Sequence, residues 1–222
     1  MKPEIFTQFP NITELEIIDS NLETLRIPPS STLEWIVIRG NNVSRIDNDS
    51  IANLERLEYF SAHNNNILEI DEDAFLGLPN VYYAGFINNH ISAIAPRTFH
   101  SLIAARTVDL EGNNLTRIED NIFENNRNLT ILYFERNQIE AVSPTFSANL
   151  QGGSLNSVNF SGNRCVERSF STRDELEWSF LNAALNSCFQ NFVGAQETRR
   201  FIIETSGSFV VHDQFGNIVA RL

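Results

Sequence analysis

An α/β solenoid is the fold class this sequence predicts: a horseshoe with one parallel β-sheet on its concave face, a helical cap at the C-terminal end and a small β segment after it. Two observations carry that expectation. Asparagine stands at positions 41, 65, 89, 113 and 137, each 24 residues after the last, inside the frame L-x-x-L-x-L-x-x-N-x-L with its large apolar positions filled permissively. Within the frame the central L-x-L pair alternates with more polar residues at period two, the mark of a short strand buried on one side.

At the start of the chain, Met1-Lys2-Pro3-Glu4 leads into no apolar signal segment. Phe6, Phe9 and Ile12 instead keep the spacing that ends one repeat and opens the next. The chain therefore reads as starting in mid-repeat, with an earlier repeat and a signal peptide expected before it. The other reading is a frayed half-turn that serves as the polar cap an open solenoid end needs. The first turn uses Ile12, Leu15, Ile17 and Leu22 and has Ser20 where the asparagine belongs. Later turns carry Leu33, Ile36, Ile38 and Asn41; Leu57, Phe60, Ala62 and Asn65; Val81, Ala84, Phe86 and Asn89; Ala105, Val108, Leu110 and Asn113; Leu129, Leu132, Phe134 and Asn137; and Leu155, Val158, Phe160 and Asn163. Residues 1–164 thus hold about seven repeats. Each asparagine follows its strand and points inward, where an unpaired amide costs roughly 1–3 kcal/mol. It is expected to bond backbone groups of its own and adjacent turns.

These turns resemble the 24-residue typical class of leucine-rich repeat found in extracellular proteins, with Phe75, Phe99 and Phe123 in the Phe position of the return segment and Phe146 one residue early. In those repeats, and in the G-N-x-C stretch from Gly162 to Cys165, the chain resembles insect secreted leucine-rich repeat proteins, including those of mosquito innate immunity. The resemblance implies an extracellular, non-enzymatic recognition module.

Residues 165–198 read as the cap. Cys165 sits where the apolar residue after the last asparagine belongs, and Thr172 with Glu175 has the spacing of a capping box. Leu176, Phe180, Leu181, Ala184, Leu185, Cys188 and Phe189 share one face at helical spacing, which predicts a helix lying across the last repeat. A disulfide between Cys165 and Cys188, at the two ends of that unit, is the leading reading; two buried free thiols are the alternative. Zinc would lack ligands, since no paired histidine stands near. Similar cystines occur in the C-terminal flanking regions of secreted repeat proteins, although those commonly carry four cysteines. Residues 199–222 read as a β meander with strands at 201–204, 209–212 and 218–222, joined by turns that hold Gly207 and Gly216. The strand-like end of the chain suggests truncation there as well.

Composition narrows the function. Of 222 residues 42% are apolar, enough for a sizeable core, and a net charge of −12 opposes nucleic acid and anionic membranes as partners. No apolar run reaches the roughly 18 residues of a bilayer span. His63, His90, His100 and His212 have no nucleophile, base and orienter pattern around them, and there is no glycine-rich phosphate loop. No catalytic, metal-binding or cofactor-binding residues are expected. Six N-x-S/T sequons, at Asn11, Asn42, Asn48, Asn114, Asn128 and Asn159, agree with secretion but carry little weight in a chain rich in these residue types. Asn48 and Asn128 are the better acceptors; glycans on Asn42, Asn114 or Asn159 would compete with folding or with a partner.

The contact surface follows from the same register, because residues alternating with the L-x-L pair face the concave side. One slot holds Trp35, Tyr59 and Tyr83 in three successive repeats, and Ile131 two repeats on. The next slot holds Val37 and Tyr133, and the third His63 and Ile87. These eight residues are the candidate partner-binding surface, with the aromatic side chains enriched in interface hot spots. Stacking across the sheet for stability alone is the competing account. Asp109, Glu111 and Glu135 lie beyond them, either to meet a basic partner or as a solvated acidic face. Two function classes follow: a secreted module that binds a protein partner, with oligomerisation left open, and part of the ectodomain of a Toll-like or adhesion receptor.

Overall fold

The computed structural model describes residues 6, 8–29, 32–198, 201–203, 209–212 and 218–221, those from 194 onward by backbone alone. The strands in chain order are β1 (Glu14–Glu16), β2 (Trp35–Val37), β3 (Arg45–Ile46), β4 (Tyr59–Ser61), β5 (Glu69–Ile70), β6 (Tyr83–Gly85), β7 (Thr107–Asp109), β8 (Arg117–Ile118), β9 (Ile131–Tyr133), β10 (Ala141–Val142), β11 (Ser157–Asn159), β12 (Ser169–Ser171), β13 (Phe201–Ile203), β14 (Phe209–His212) and β15 (Ile218–Arg221). Helix α1 spans Thr145–Leu150 and α2 spans Glu175–Thr198.

The expected solenoid is present. β1, β2, β4, β6, β7, β9 and β11 form one parallel sheet in that order, and β12 joins its far edge antiparallel. Pairing is in step throughout, so Leu15, Ile36, Phe60, Ala84, Val108, Leu132 and Val158 make one row, and every member is buried. Return segments add short parallel pairs, β3 with β5 and β8 with β10.

The asparagine row ties each turn to the one before it. Asn113 shows the pattern: its Oδ1 accepts the Ile91 N–H at 3.0 Å, and its Nδ2 donates to the Phe86 carbonyl at 2.9 Å and the Leu110 carbonyl at 3.0 Å. Asn89, Asn137 and Asn163 repeat it. Where Ser20 replaces the first asparagine, the next turn compensates, since Asn41 Oδ1 accepts from both the Ser20 and the Leu22 N–H.

A second periodic feature carries no apolar signal. Immediately before each ladder position the backbone turns left-handed, at Asp19, Gly40, Asn64, Asn88, Gly112, Arg136 and Gly162, with φ from 48° to 74°. Six of the seven are Gly, Asn or Asp, which enter this region at low cost. Arg136, with φ 53°, is the exception. At Gly112 space matters as well, because a Cβ would lie 2.5 Å from Asn88 Oδ1.

Phe75, Phe99 and Phe123 stack along the core at 5.9 and 5.6 Å. Phe146 leaves the row because the turn here is replaced by α1: Ser147 takes the register position and Phe146 meets Phe123 edge-on at 72°. The interval from Asn137 to Asn163 is two residues longer than the others, and the extra chain lies between α1 and Leu155, around Gly152 at φ 85°.

The cap corrects two expectations. Thr172 Oγ1 donates to the Leu155 carbonyl, and the helix is capped instead by Asp174, whose Oδ1 accepts the Glu177 N–H at 2.9 Å while Glu177 Oε2 accepts the Arg173 N–H at 2.7 Å. The capping pair thus lies two residues later than expected. The buried stripe of α2 is Trp178, Leu181, Leu185, Cys188 and Phe192, and Leu176 and Phe180 are exposed. This face packs against β10 and β12, with Arg117 over the Phe192 ring and Asn191 Nδ2 on the Glu140 carbonyl. Cys165 and Cys188 form a disulfide, with Cα atoms 5.5 Å apart.

β13, β14 and β15 form an antiparallel meander, and Glu204, Leu222 and the expected turns at 205–208 and 213–217 lie outside the described residues. At the other end Phe6 and Ile12 pack on the core while Phe9 is exposed. Among the described residues no helix is long and apolar enough to cross a membrane. The Asn42, Asn48, Asn114 and Asn128 side chains are exposed, so Asn42 and Asn114 are as open as the two return-segment sequons. Asn159 is half-buried and donates to Glu135, a bond that a glycan would remove.

Candidate partner-binding face

All eight candidate residues, Trp35, Val37, Tyr59, His63, Tyr83, Ile87, Ile131 and Tyr133, are half-buried and lie on the sheet face opposite the core row. Strand register sets Trp35 beside Tyr59 and Tyr59 beside Tyr83. Their rings stack face to face, Trp35 on Tyr59 with centroids 3.7 Å apart and planes at 3°, and Tyr59 on Tyr83 at 4.5 Å and 7°. This geometry changes what the row offers. Both faces of the Tyr59 ring are covered by its neighbours, so a ligand meets ring edges and hydroxyls rather than an open π surface. Part of the aromatic row therefore stabilises the sheet, and its edges remain for contact.

Gly85 makes room for the next layer. A Cβ there would lie 2.5 Å from His63 Cε1 and 2.6 Å from Tyr83 Cε1, because both rings lean across the strand at this point. His63 is then held on both nitrogens. Its Nδ1 accepts the Ile87 N–H at 2.9 Å, which leaves the proton on Nε2, 3.2 Å from the Tyr83 hydroxyl. Burial, reinforced by Arg39, lowers the His63 pKa to about 4, so the ring is neutral at physiological pH. Burial raises the Tyr83 pKa, with Asp109 adding to the effect. Gly85→Ala is expected to force Tyr83 and His63 off this arrangement and to cost about 1–3 kcal/mol through overpacking. Urea denaturation and near-ultraviolet circular dichroism check it: a variant with wild-type stability and an unchanged aromatic spectrum would contradict the close approach.

Beyond the aromatics lies an acidic patch in which Asp109 is buried while Glu111 and Glu135 are half-buried. In the register row Gly85, Asp109 and Tyr133 are neighbours on β6, β7 and β9. Asp109 is 6% exposed and its hydrogen bond comes from the Glu111 N–H, 3.1 Å from Oδ1. Burial pushes its carboxyl up to about 7, and Glu111 and Glu135 add to the rise. Glu111 pairs with Arg136 at 2.8 Å. Glu135 accepts from Asn159 through Oε1, while its Oε2 is shut off from water without a partner, and burial raises its pKa too. The row of aromatics was legible from the repeat register; burial of Asp109 was not, because it is set by residues on the neighbouring strands and not by its own repeat.

The comparisons fit this architecture. A family described as "BspA type Leucine rich repeat region (6 copies)" matches residues 29–151 and again 84–194. No curated protein matches the chain. Among solved structures, one described as "Crystal structure of TLR13-ssRNA13 complex" is similar with 19% identity and a TM-score of 0.54, over 69% of this chain and 25% of its own. This likeness is one of fold, and the chain spans about a quarter of that structure's length. With the asparagine row, the in-step parallel sheet and a sequence match over more than half its length, the chain belongs to the BspA-type leucine-rich repeat family.

Proposed function

We propose that this chain is a non-enzymatic, secreted recognition module that binds a protein partner through the concave face of its sheet, in a role of the innate-immune kind. The observation that carries the reading is the stacked, half-buried row of Trp35, Tyr59 and Tyr83, with Tyr133 half-buried on the same face two strands on, side chains of the type that dominate interface hot spots. The Cys165–Cys188 disulfide favours an oxidising compartment. Single-stranded RNA, named in the description of the solved neighbour, is opposed here by the −12 net charge and by Asp109, Glu111 and Glu135 on the same face.

The test is capture of secreted proteins on immobilised wild-type chain, on the combined Trp35→Ser, Tyr59→Ser and Tyr83→Ser variant, and on Leu76→Ser, away from the sheet. Thermal melting first establishes that each is folded. A partner held by wild type and Leu76→Ser but lost from the triple variant supports the reading; equal retention by all three overturns it. A second reading, part of a Toll-like or adhesion receptor ectodomain, draws on the fold likeness. Extending the genomic reading frame downstream separates the two, since an apolar run of about 20 residues there favours the receptor.

A further inference from the structure

The geometry points to a second copy of this chain as the partner of the sheet's C-terminal edge: β12 pairs antiparallel with β12 of the copy about a two-fold axis, and the two sheets become one. This goes beyond the concave-face reading and uses none of its residues.

β12 ends the eight-stranded sheet, and β11 is its one neighbour there. In an antiparallel pair, successive residues turn their backbone groups alternately toward the neighbour and away from it. The Arg168 carbonyl accepts the Phe160 N–H at 3.0 Å and the Thr172 N–H donates to the Asn156 carbonyl at 3.1 Å, with Phe170 opposite Val158 between them. Residues 168, 170 and 172 therefore face β11. Ser169 and Ser171 direct their N–H and C=O groups the other way, and among the described residues no strand meets them. Sheet edges are ordinarily guarded by charge or proline on the strand. The opposite edge has such a guard, since β1 is Glu14-Leu15-Glu16 with both glutamates exposed. β12 is Ser169-Phe170-Ser171 and has none.

Beside this strand runs a groove of about 610 Å³, with residues 168–171 on one wall and Glu177, Phe180, Ala183 and Ala184 of α2 on the other. Phe180 is 58% exposed and Leu176, one turn before it, 63%, so α2 leaves apolar side chains uncovered next to the edge.

Self-complementarity selects a second copy over an unrelated strand. A two-fold axis through Phe170 sets Ser169 opposite Ser171 of the copy and Ser171 opposite its Ser169, so the outward groups of each strand meet as two hydrogen-bonded pairs. The charges at the strand ends match in the same register. Arg168 is exposed, lies over the Phe170 ring at 5.1 Å and has no ion pair among the described residues. Glu177 is held at the other end, where its Oε2 accepts the Ser171 hydroxyl at 2.8 Å and the Arg173 N–H at 2.7 Å. Antiparallel pairing brings Arg168 of the copy opposite Thr172, at the end where Glu177 stands, and symmetry repeats the match.

Sedimentation equilibrium of the whole chain over about 1–100 µM is expected to show a reversible monomer–dimer equilibrium and no larger species. Ser169→Pro removes one outward N–H and leaves the bonds to β11, which run through residues 168, 170 and 172. Arg168→Glu sets like charges beside Glu177. Each is expected to weaken dimerisation at least tenfold, and Arg127→Glu, the same charge change at an exposed arginine ahead of β9, by less than twofold. Thermal melts establish that the variants are folded; if Ser169→Pro is not, Arg168→Glu decides, because its change is confined to an exposed side chain. A monomer throughout the range, growth beyond the dimer, or wild-type dimerisation of either folded variant overturns the inference. The combined Trp35→Ser, Tyr59→Ser and Tyr83→Ser variant is expected to dimerise as wild type does. Loss of a captured partner from that variant and loss of the dimer from Arg168→Glu are therefore separate results.

Discussion

Asn113→Ala is expected to destabilise the chain by about 3–5 kcal/mol, a cost its equivalents Asn89 and Asn137 share because they make the same bonds. The Ile91 N–H is buried and Asn113 Oδ1 is its partner, so truncation leaves that donor unsatisfied, at roughly 1–3 kcal/mol. Two donated bonds go with it, at about 1 kcal/mol each, although the Phe86 and Leu110 carbonyls keep Asn89 and Asn137. Because each turn of a solenoid is held chiefly by its neighbours, the loss weakens the junction between the turns on either side. Asn66→Ala is the matched control: Asn66 is exposed and its side chain reaches Asn42 at 3.4 Å, so less than about 0.5 kcal/mol is expected. Urea denaturation of both decides it. Similar losses in the two variants would mean that the inward amides do not hold the turns together.

That contrast bears on what the sequence disclosed. The Asn113 side chain and its bonds follow from the repeat frame, because a period of 24 residues places the same amide at the same point of every turn. Trp35, Tyr59 and Tyr83 were adjacent by the same counting. Their mode of contact was not, since register sets which Cα atoms are neighbours but not whether rings lie flat or stand on edge. The left-handed residue before each asparagine was readable in principle from Gly40, Asn64, Asn88, Gly112 and Gly162, and only Arg136 breaks the pattern. The helix face failed for a different reason. Several apolar residues of α2 fit a stripe at either of two rotations, and the choice fell to Trp178, the largest side chain, which turned Leu176 and Phe180 outward. Asp109 is the deepest miss: its burial comes from neighbours in space that no local pattern records.

Asp109→Asn is expected to be more stable than wild type at pH 8 and nearly equal to it at pH 4. In the unfolded chain this carboxyl has its ordinary pKa of 3.8, and in the folded chain burial raises it to about 7. Below 3.8 it is protonated in both states and makes no difference. Between the two values the folded chain holds a proton that the unfolded chain has released, so stability falls as pH rises through this window and levels off above about 7. The rise corresponds to at most ~4 kcal/mol. His63 acts in the opposite sense, because its lowered pKa makes stability increase with pH between about 4 and 6.5. The wild-type curve alone therefore mixes the two, and the difference between wild type and variant isolates Asp109. Urea denaturation of both proteins at pH 4, 5, 6.5 and 8 reads it directly, and a variant no more stable than wild type at pH 8 would show that Asp109 is not strained by burial. A gap that widens with pH would mean that the fold carries at neutral pH a charge that weakens it.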